Sequence, residues 1–198
     1  MNSNRYEQSR RYSHIGMSSH SNSTYALQYL EAFRVLYDSK EPVDTIALPM
    51  LYCLRHYLEL ALKVNIKYFS EYSGSRSMLK NLNGTHKISD LANAFIEHWT
   101  EVKRKSQLKV DDSVYLEDFN SLIEELKGLD DAAFSFRFSH DRKENKNFKL
   151  LDKVDIERLK RLLKNASILL NVSITVFEDE SGLMHDLSKE QVLAAQIP

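Results

Sequence analysis

The chain has 198 residues, 42% of them hydrophobic, enough to bury one substantial core, and its 27 basic and 28 acidic residues leave a net charge of −1. That balance excludes a global positive field for nucleic acid, so any nucleic-acid contact has to come from a local patch. The single cysteine, Cys53, excludes an internal disulfide and any multi-cysteine zinc site, and suits a reducing cytoplasm.

Residues 1–23 are rich in Ser, Asn and Arg and almost devoid of aliphatic side chains, which predicts a flexible polar arm. Within it Arg5, Arg10 and Arg11 are the residues suited to touch phosphates. Ser23 and Thr24 are placed to cap a first helix through Leu27, Leu30, Phe33 and Tyr37, which ends near Pro42. A long central helix is predicted at about 46–70, with Asp44 as a cap and Pro49 either kinking it or marking its first turn. Residues 70–85 read as a long connection, and a third helix over about 87–107 carries Ile88, Leu91, Phe95 and Trp99 on one face. Asp112 and Ser113 begin a fourth helix ending at Gly128. The period then breaks: Phe134, Phe136 and Phe138 alternate with Ser135, Arg137 and Ser139, as in a short strand or in an extended strap laid across the helices. A last helix from Asp152 to about Phe177 follows, and residues 179–198 read as an acidic, weakly amphipathic tail. With only five glycines and three prolines, this pattern predicts an all-α protein, its helical domain spanning 24–178. No run of about eighteen apolar residues and no charged-then-apolar leader is present, so neither membrane spanning nor secretion is expected.

The central helix organises the chain. Leu51, Leu54, Leu58, Leu62 and Phe69 recur at helical steps, with a gap at Asn65, and should be buried. Arg55, Glu59 and Lys63 form an i, i+4, i+8 row of alternating charge, and His56 lies three residues before Glu59. Such a row is either a solvated ladder or a buried, cleft-lining network. Arg137, His140 and Asp141 concentrate charge in the strap, and His86 precedes the third helix. Were the strap to fold back on the central helix, Arg55, His56, Glu59, Arg137 and His140 would be the candidate catalytic set. An imidazole as acid or base and a guanidinium against a charged phosphorus centre suffice for metal-independent RNA cleavage. The bland alternative has Arg55 pairing with Glu59, Arg137 with Asp141 or Asp131, and His86 capping a helix. The dipeptides His140-Asp141 and His185-Asp186, with His86 and Asp152, offer the donor types of a metal-dependent phosphohydrolase, but His140 lies in a polar loop unsuited to fixing ligand geometry. No metal and no cofactor is therefore expected. Glycine-rich phosphate loops, nucleophile elbows and nucleotide fingerprints are absent.

The stretch RHYLELALK at 55–63, then GTHKISDL at 84–91, then the Asp131-x-x-x-SFRF segment before a long last helix, resembles bacterial members of the HEPN superfamily over roughly residues 45–177. That resemblance implies a four- to five-helix up-and-down bundle, a homodimer or a partner protein encoded nearby, and a cytoplasmic role in antiviral defence or a toxin–antitoxin system. In active members it implies a metal-independent ribonuclease whose Arg and His are separated by about four to six residues. No Arg here is followed by a His at that interval: Arg10 with His14 and Arg137 with His140 are both too short. The expectation is a binding or regulatory subunit, with RNA as a ligand or substrate in the alternative.

Overall fold

Burial of one stripe on each helix against its neighbours produces the observed architecture. The computed structural model describes residues 21–74, 79 and 81–182, and among these the regular structure is five α-helices: α1 (Asn22–Tyr37), α2 (Val43–Ser73), α3 (Ile88–Lys105), α4 (Ser113–Asp130) and α5 (Ile156–Glu180). Each packs on its successor in the chain, and α5 returns onto α2, which makes α2 the centre of a five-helix bundle. The expected up-and-down order is broken at α3, which runs parallel to α2: Arg55 and Glu59 meet His86 just before α3, and Phe69 and Ser73 meet Trp99 and His98 further along it. No helix among the described residues is long and apolar enough to cross a membrane.

Helix ends follow local chemistry, with several differences from the sequence reading: Asp44 lies inside the first turn of α2 instead of capping it, and α4 runs past Gly128 to Asp130. Ser21 caps α1, its hydroxyl accepting from the Thr24 N–H at 3.2 Å, so the cap lies two residues before the expected Ser23. Pro49 neither starts nor breaks α2, which runs unbroken from Val43. Proline removes the donor to Thr45, but Thr45 and Pro49 are both exposed, so the freed carbonyl can be hydrated. The last helix begins at Ile156, capped by Asp155, whose carboxylate accepts from the Arg158 N–H at 2.9 Å, rather than at Asp152. The arm carrying Arg5, Arg10 and Arg11, and His185 and Asp186 in the tail, lie outside the described residues.

The predicted stripe of α2 is the core. Leu54, Leu58, Leu62 and Phe69 are fully buried, and Phe69 packs against Trp99 of α3 and Phe177 of α5 with ring centroids at 5.1 and 5.9 Å. The gap at Asn65 is a polar joint between α2 and α5. Its Nδ2 donates to the carbonyls of Ala61 and Leu170 at 2.9 and 2.8 Å, and its Oδ1 accepts from Ser173 Oγ at 2.7 Å, so a buried amide is fully satisfied. At its C-terminus α2 ends on Gly74, whose φ of +59° suits a residue without a Cβ; a Cβ there would also meet Lys105 Nζ, which donates to the Ser73 carbonyl.

Residues 131–155 are the irregular strap. The Phe134–Phe136–Phe138 alternation is not a strand: only an isolated bridge, His140 to Lys146, is present in this segment. Phe136 alone is buried, stacked on Phe148, whereas Phe138 is 51% exposed. The turn is made by Asp130, whose carboxylate accepts from the N–H groups of Phe134 at 2.7 Å and Ser135 at 3.0 Å.

Candidate functional site

The charge row on α2 becomes a buried network because two distant loops bring it backbone acceptors. All three guanidinium nitrogens of Arg55 donate: Nε to the Asp130 carbonyl at 3.1 Å, Nη1 to Glu59 Oε2 at 2.5 Å, and Nη2 to the carbonyls of His86 and of Asp131, the latter at 3.0 Å. Glu59 Oε1 accepts from Lys63 Nζ and from His86 Nδ1, each at 2.9 Å, and Lys63 also donates to the Asn83 carbonyl at 3.2 Å. Arg55 has 0% exposure and Glu59 3%, whereas the His86 side chain is 57% exposed and forms the outer edge of the network. Burial by itself would raise the Glu59 carboxyl, but hydrogen bonds from Lys63, His86 and Arg55 outweigh it and hold the group at about 2.

The same network fixes the start of α3. The Ile88 N–H donates to the Asp131 carbonyl at 2.8 Å and the Ser89 N–H to Asp131 Oδ1 at 3.0 Å, so the residue after α4 caps the helix before it. His86 does not cap a helix; its ring and its carbonyl both face the α2 row.

The other predicted site residues lie elsewhere. His56 is half-buried toward α1, stacked on Tyr52 at 5.5 Å and met edge-on by Tyr29 at 4.4 Å. Its pKa is lowered, first by burial, against the opposing pull of Glu59, with the charges of Arg55, Lys63 and Arg137 adding to the depression. Arg137 is exposed, its Nε donating to the Ala133 carbonyl at 2.9 Å and its guanidinium 5.5 Å from the Phe138 ring centre. It pairs with neither Asp131 nor Asp141: Asp131 meets Lys87 at 3.7 Å, and Asp141 accepts from the N–H groups of Lys143 and Asn145. His140 is exposed beside Ser139 Oγ at 3.0 Å. Arg137 and His140 line one hollow of about 280 Å³ with Lys146, Phe136, Phe148 and Leu48. The five candidates thus divide into a buried clamp (Arg55, Glu59), an aromatic-held imidazole (His56) and an open hollow (Arg137, His140).

The metal-binding alternative finds no donor set: Asp141 closes its own loop, Asp152 accepts from the Lys149 N–H at 2.7 Å, and among the described residues no three His, Cys, Asp or Glu are grouped to hold an ion. Three buried polar residues carry weight that sequence reasoning did not assign. Asp130 organises the strap. Asp112 accepts from Trp99 Nε1 at 2.6 Å and from Lys103 Nζ at 2.7 Å, joining α3 to α4. His98, fully buried, shares a 2.7 Å hydrogen bond with Ser73 and leaves its Nε2 without a partner. For Asp130 a signal existed, since two aspartates at a helix C-terminus oppose the helix dipole and call for a compensating partner.

These shifts set the acid response. His98 and His56 have pKa values lowered from 6.5, chiefly by burial, so the unfolded chain binds protons first and stability falls as pH drops below about 6.5. Glu59 is depressed from 4.5 to about 2, so its contribution is complete above about 4.5 and is lost on descending toward 2. Urea midpoints measured from pH 8 to pH 3 should fall in two stages, and Glu59→Gln should flatten the second stage while the first, set by burial of the histidines, persists and deepens slightly as His56 loses the pull of Glu59. A single stage, or a second stage unchanged in that variant, contradicts the assignment.

No protein-family model, no curated protein and no solved structure matches this chain.

Proposed function

We propose that this chain is an HEPN-like subunit of a bacterial defence or toxin–antitoxin system, acting in the cytoplasm as a binding or regulatory protein rather than as a catalyst. The observation that carries this reading is the state of Arg55: with no exposed surface and every guanidinium nitrogen engaged, it cannot meet a phosphate without dismantling the joint between α2, α3 and α4. The most reaction-like cluster on the central helix is therefore committed to holding the fold. A five-helix bundle built on a long central helix agrees with the four- to five-helix bundle that the resemblance implies.

A second reading, a metal-independent ribonuclease, is favoured by one arrangement: Arg137 and His140 share an open hollow. Arg137 would steady charge on the phosphate, and His140 or His56 would move the proton of the 2′-hydroxyl.

Purified protein incubated with total RNA and tRNA, with and without EDTA, separates the two. Intact RNA, together with co-purification of a protein encoded nearby, is the expected result. EDTA-resistant cleavage leaving 2′,3′-cyclic phosphate ends, and lost in His140→Ala or His56→Ala with the fold retained, would replace the binding reading with the ribonuclease.

A further inference from the structure

Helices α1 and α5 both pack on α2 and leave a groove between them, about 570 Å³ in volume. Its base is Leu30 and Phe33 from α1 and Leu163 from α5, each under 5% exposed, so the apolar surface open to a ligand is Ile168, 40% exposed, and the strip that continues from it. Tyr37 closes one end, donating to Glu157 Oε1 at 2.5 Å, with Lys160 over its ring at 3.5 Å and 3.7 Å from Asp38. From Leu30 and Ile168 the apolar strip continues through exposed Leu27 and Val172, one helical turn further along each helix.

The rim is basic. Arg34 from α1 and Arg161 and Lys164 from α5 line the groove and are exposed. Arg34 meets Glu31 only at 3.6 Å with both side chains more than half exposed, and Arg161 and Lys164 form no ion pair among the described residues. The two carboxylates in the groove, Asp38 and Glu157, are engaged at its closed end.

We propose that this groove docks an acidic amphipathic helix of a partner protein, its apolar stripe on the exposed strip and its carboxylates against Arg34, Arg161 and Lys164. This rests on the reading of the chain as a binding subunit and gives that partner a chemistry. The α5 lining from Glu157 to Ile168 rises roughly 16 Å, the length of about three helical turns. An exposed aliphatic strip of Leu27, Ile168 and Val172 beside a cationic rim is the complement of such a helix. Single-stranded RNA would need open aromatic faces on which to stack, yet Phe33 is 1% exposed and Lys160 covers the Tyr37 ring. A second copy meeting this one face to face would set the same three cations against one another.

The test is fluorescence anisotropy of the full chain with a labelled peptide of about 14 residues, leucine at helical spacing and glutamate elsewhere. A scrambled isomer and a U-rich RNA oligonucleotide serve as comparisons. The expected result is binding of the amphipathic peptide only, weakened about tenfold or more in the double variant Arg161→Glu, Lys164→Glu. That variant should keep its helical circular dichroism and urea midpoint, because both side chains are exposed; Ile168→Asp, in the strip, should give the same loss. Absence of peptide binding, equal binding of the scrambled isomer, displacement by the RNA, or indifference to charge reversal would each overturn the proposal. The RNA-cleavage assay on the same preparations keeps the two questions apart. Intact RNA with no peptide binding removes the groove alone, and cleavage with peptide binding retained removes the binding-subunit reading alone.

Discussion

Glu59→Ala lowers the free energy of unfolding by about 3–5 kcal/mol, the loss expected when one member of a buried ionic group is removed and the rest stay charged. The reason is local. Arg55 and Lys63 are 0% and 6% exposed, and Glu59 is the carboxylate hydrogen-bonded to both, at 2.5 and 2.9 Å. Without it the two cations are held four hydrogen bonds deep in backbone carbonyls, with Asp130 Oδ2 at 4.0 Å from Arg55 Nε as the nearest remaining counter-charge. Chemical denaturation should show a lower midpoint with an unchanged slope. Glu101→Ala, which removes the partner of exposed Arg104 on α3, serves as the comparison and should leave the midpoint where it was. Equal effects in the two variants would mean that the α2 row behaves as a solvated ladder.

Asp130→Ala is the second large effect, about 2–4 kcal/mol, because it strips a buried charge-assisted acceptor from the strap's N–H groups and a counter-charge from Arg55. Asp130 is 3% exposed, and its carboxylate is the acceptor for Phe134 and Ser135 where the chain leaves α4. The loss should have a local signature as well as a global one: amide exchange at 134–136 accelerates, and the strap becomes the first site of proteolysis. Asp130→Asn keeps a carbonyl oxygen facing the same two N–H groups and should recover more than half of the loss. If Asp130→Ala destabilises without changing exchange in the strap, Asp130 acts through Arg55 alone.

What the sequence revealed and what it hid divide along a physical line. Side-chain periodicity is written in residue types, so the buried stripe of Leu54, Leu58, Leu62 and Phe69, and the row of Arg55, Glu59 and Lys63, were both readable. Whether that row was buried was not, because the deciding partners are the carbonyls of His86, Asp130 and Asp131, 31 to 76 residues away, and every residue type carries a carbonyl. The strap shows the opposite failure. Alternating Phe134, Phe136 and Phe138 satisfies a strand pattern, but the Asp130 carboxylate gathers the first N–H groups and Ala133 takes φ of 62°, which turns the chain before a strand can extend. Pairing of Arg55 with Glu59 was one of the readings considered and is present; pairing of Arg137 with a carboxylate was another and is not. His56 was placed beside Glu59 by spacing, yet its ring turns toward Tyr29 and Tyr52, because an i, i+3 neighbour shares a face without sharing a rotamer.

The central claim is that Arg55 and Glu59 act as one buried unit joining α2 to the start of α3 and the end of α4. A double-mutant cycle by urea denaturation, using Arg55→Met, Glu59→Ala and the pair, tests it most directly. The account predicts that Glu59→Ala costs about 1.5–3 kcal/mol less in the Arg55→Met background than in the natural chain, since the cation it would strand is gone. Additive losses would contradict the claim and return the row to the protein surface.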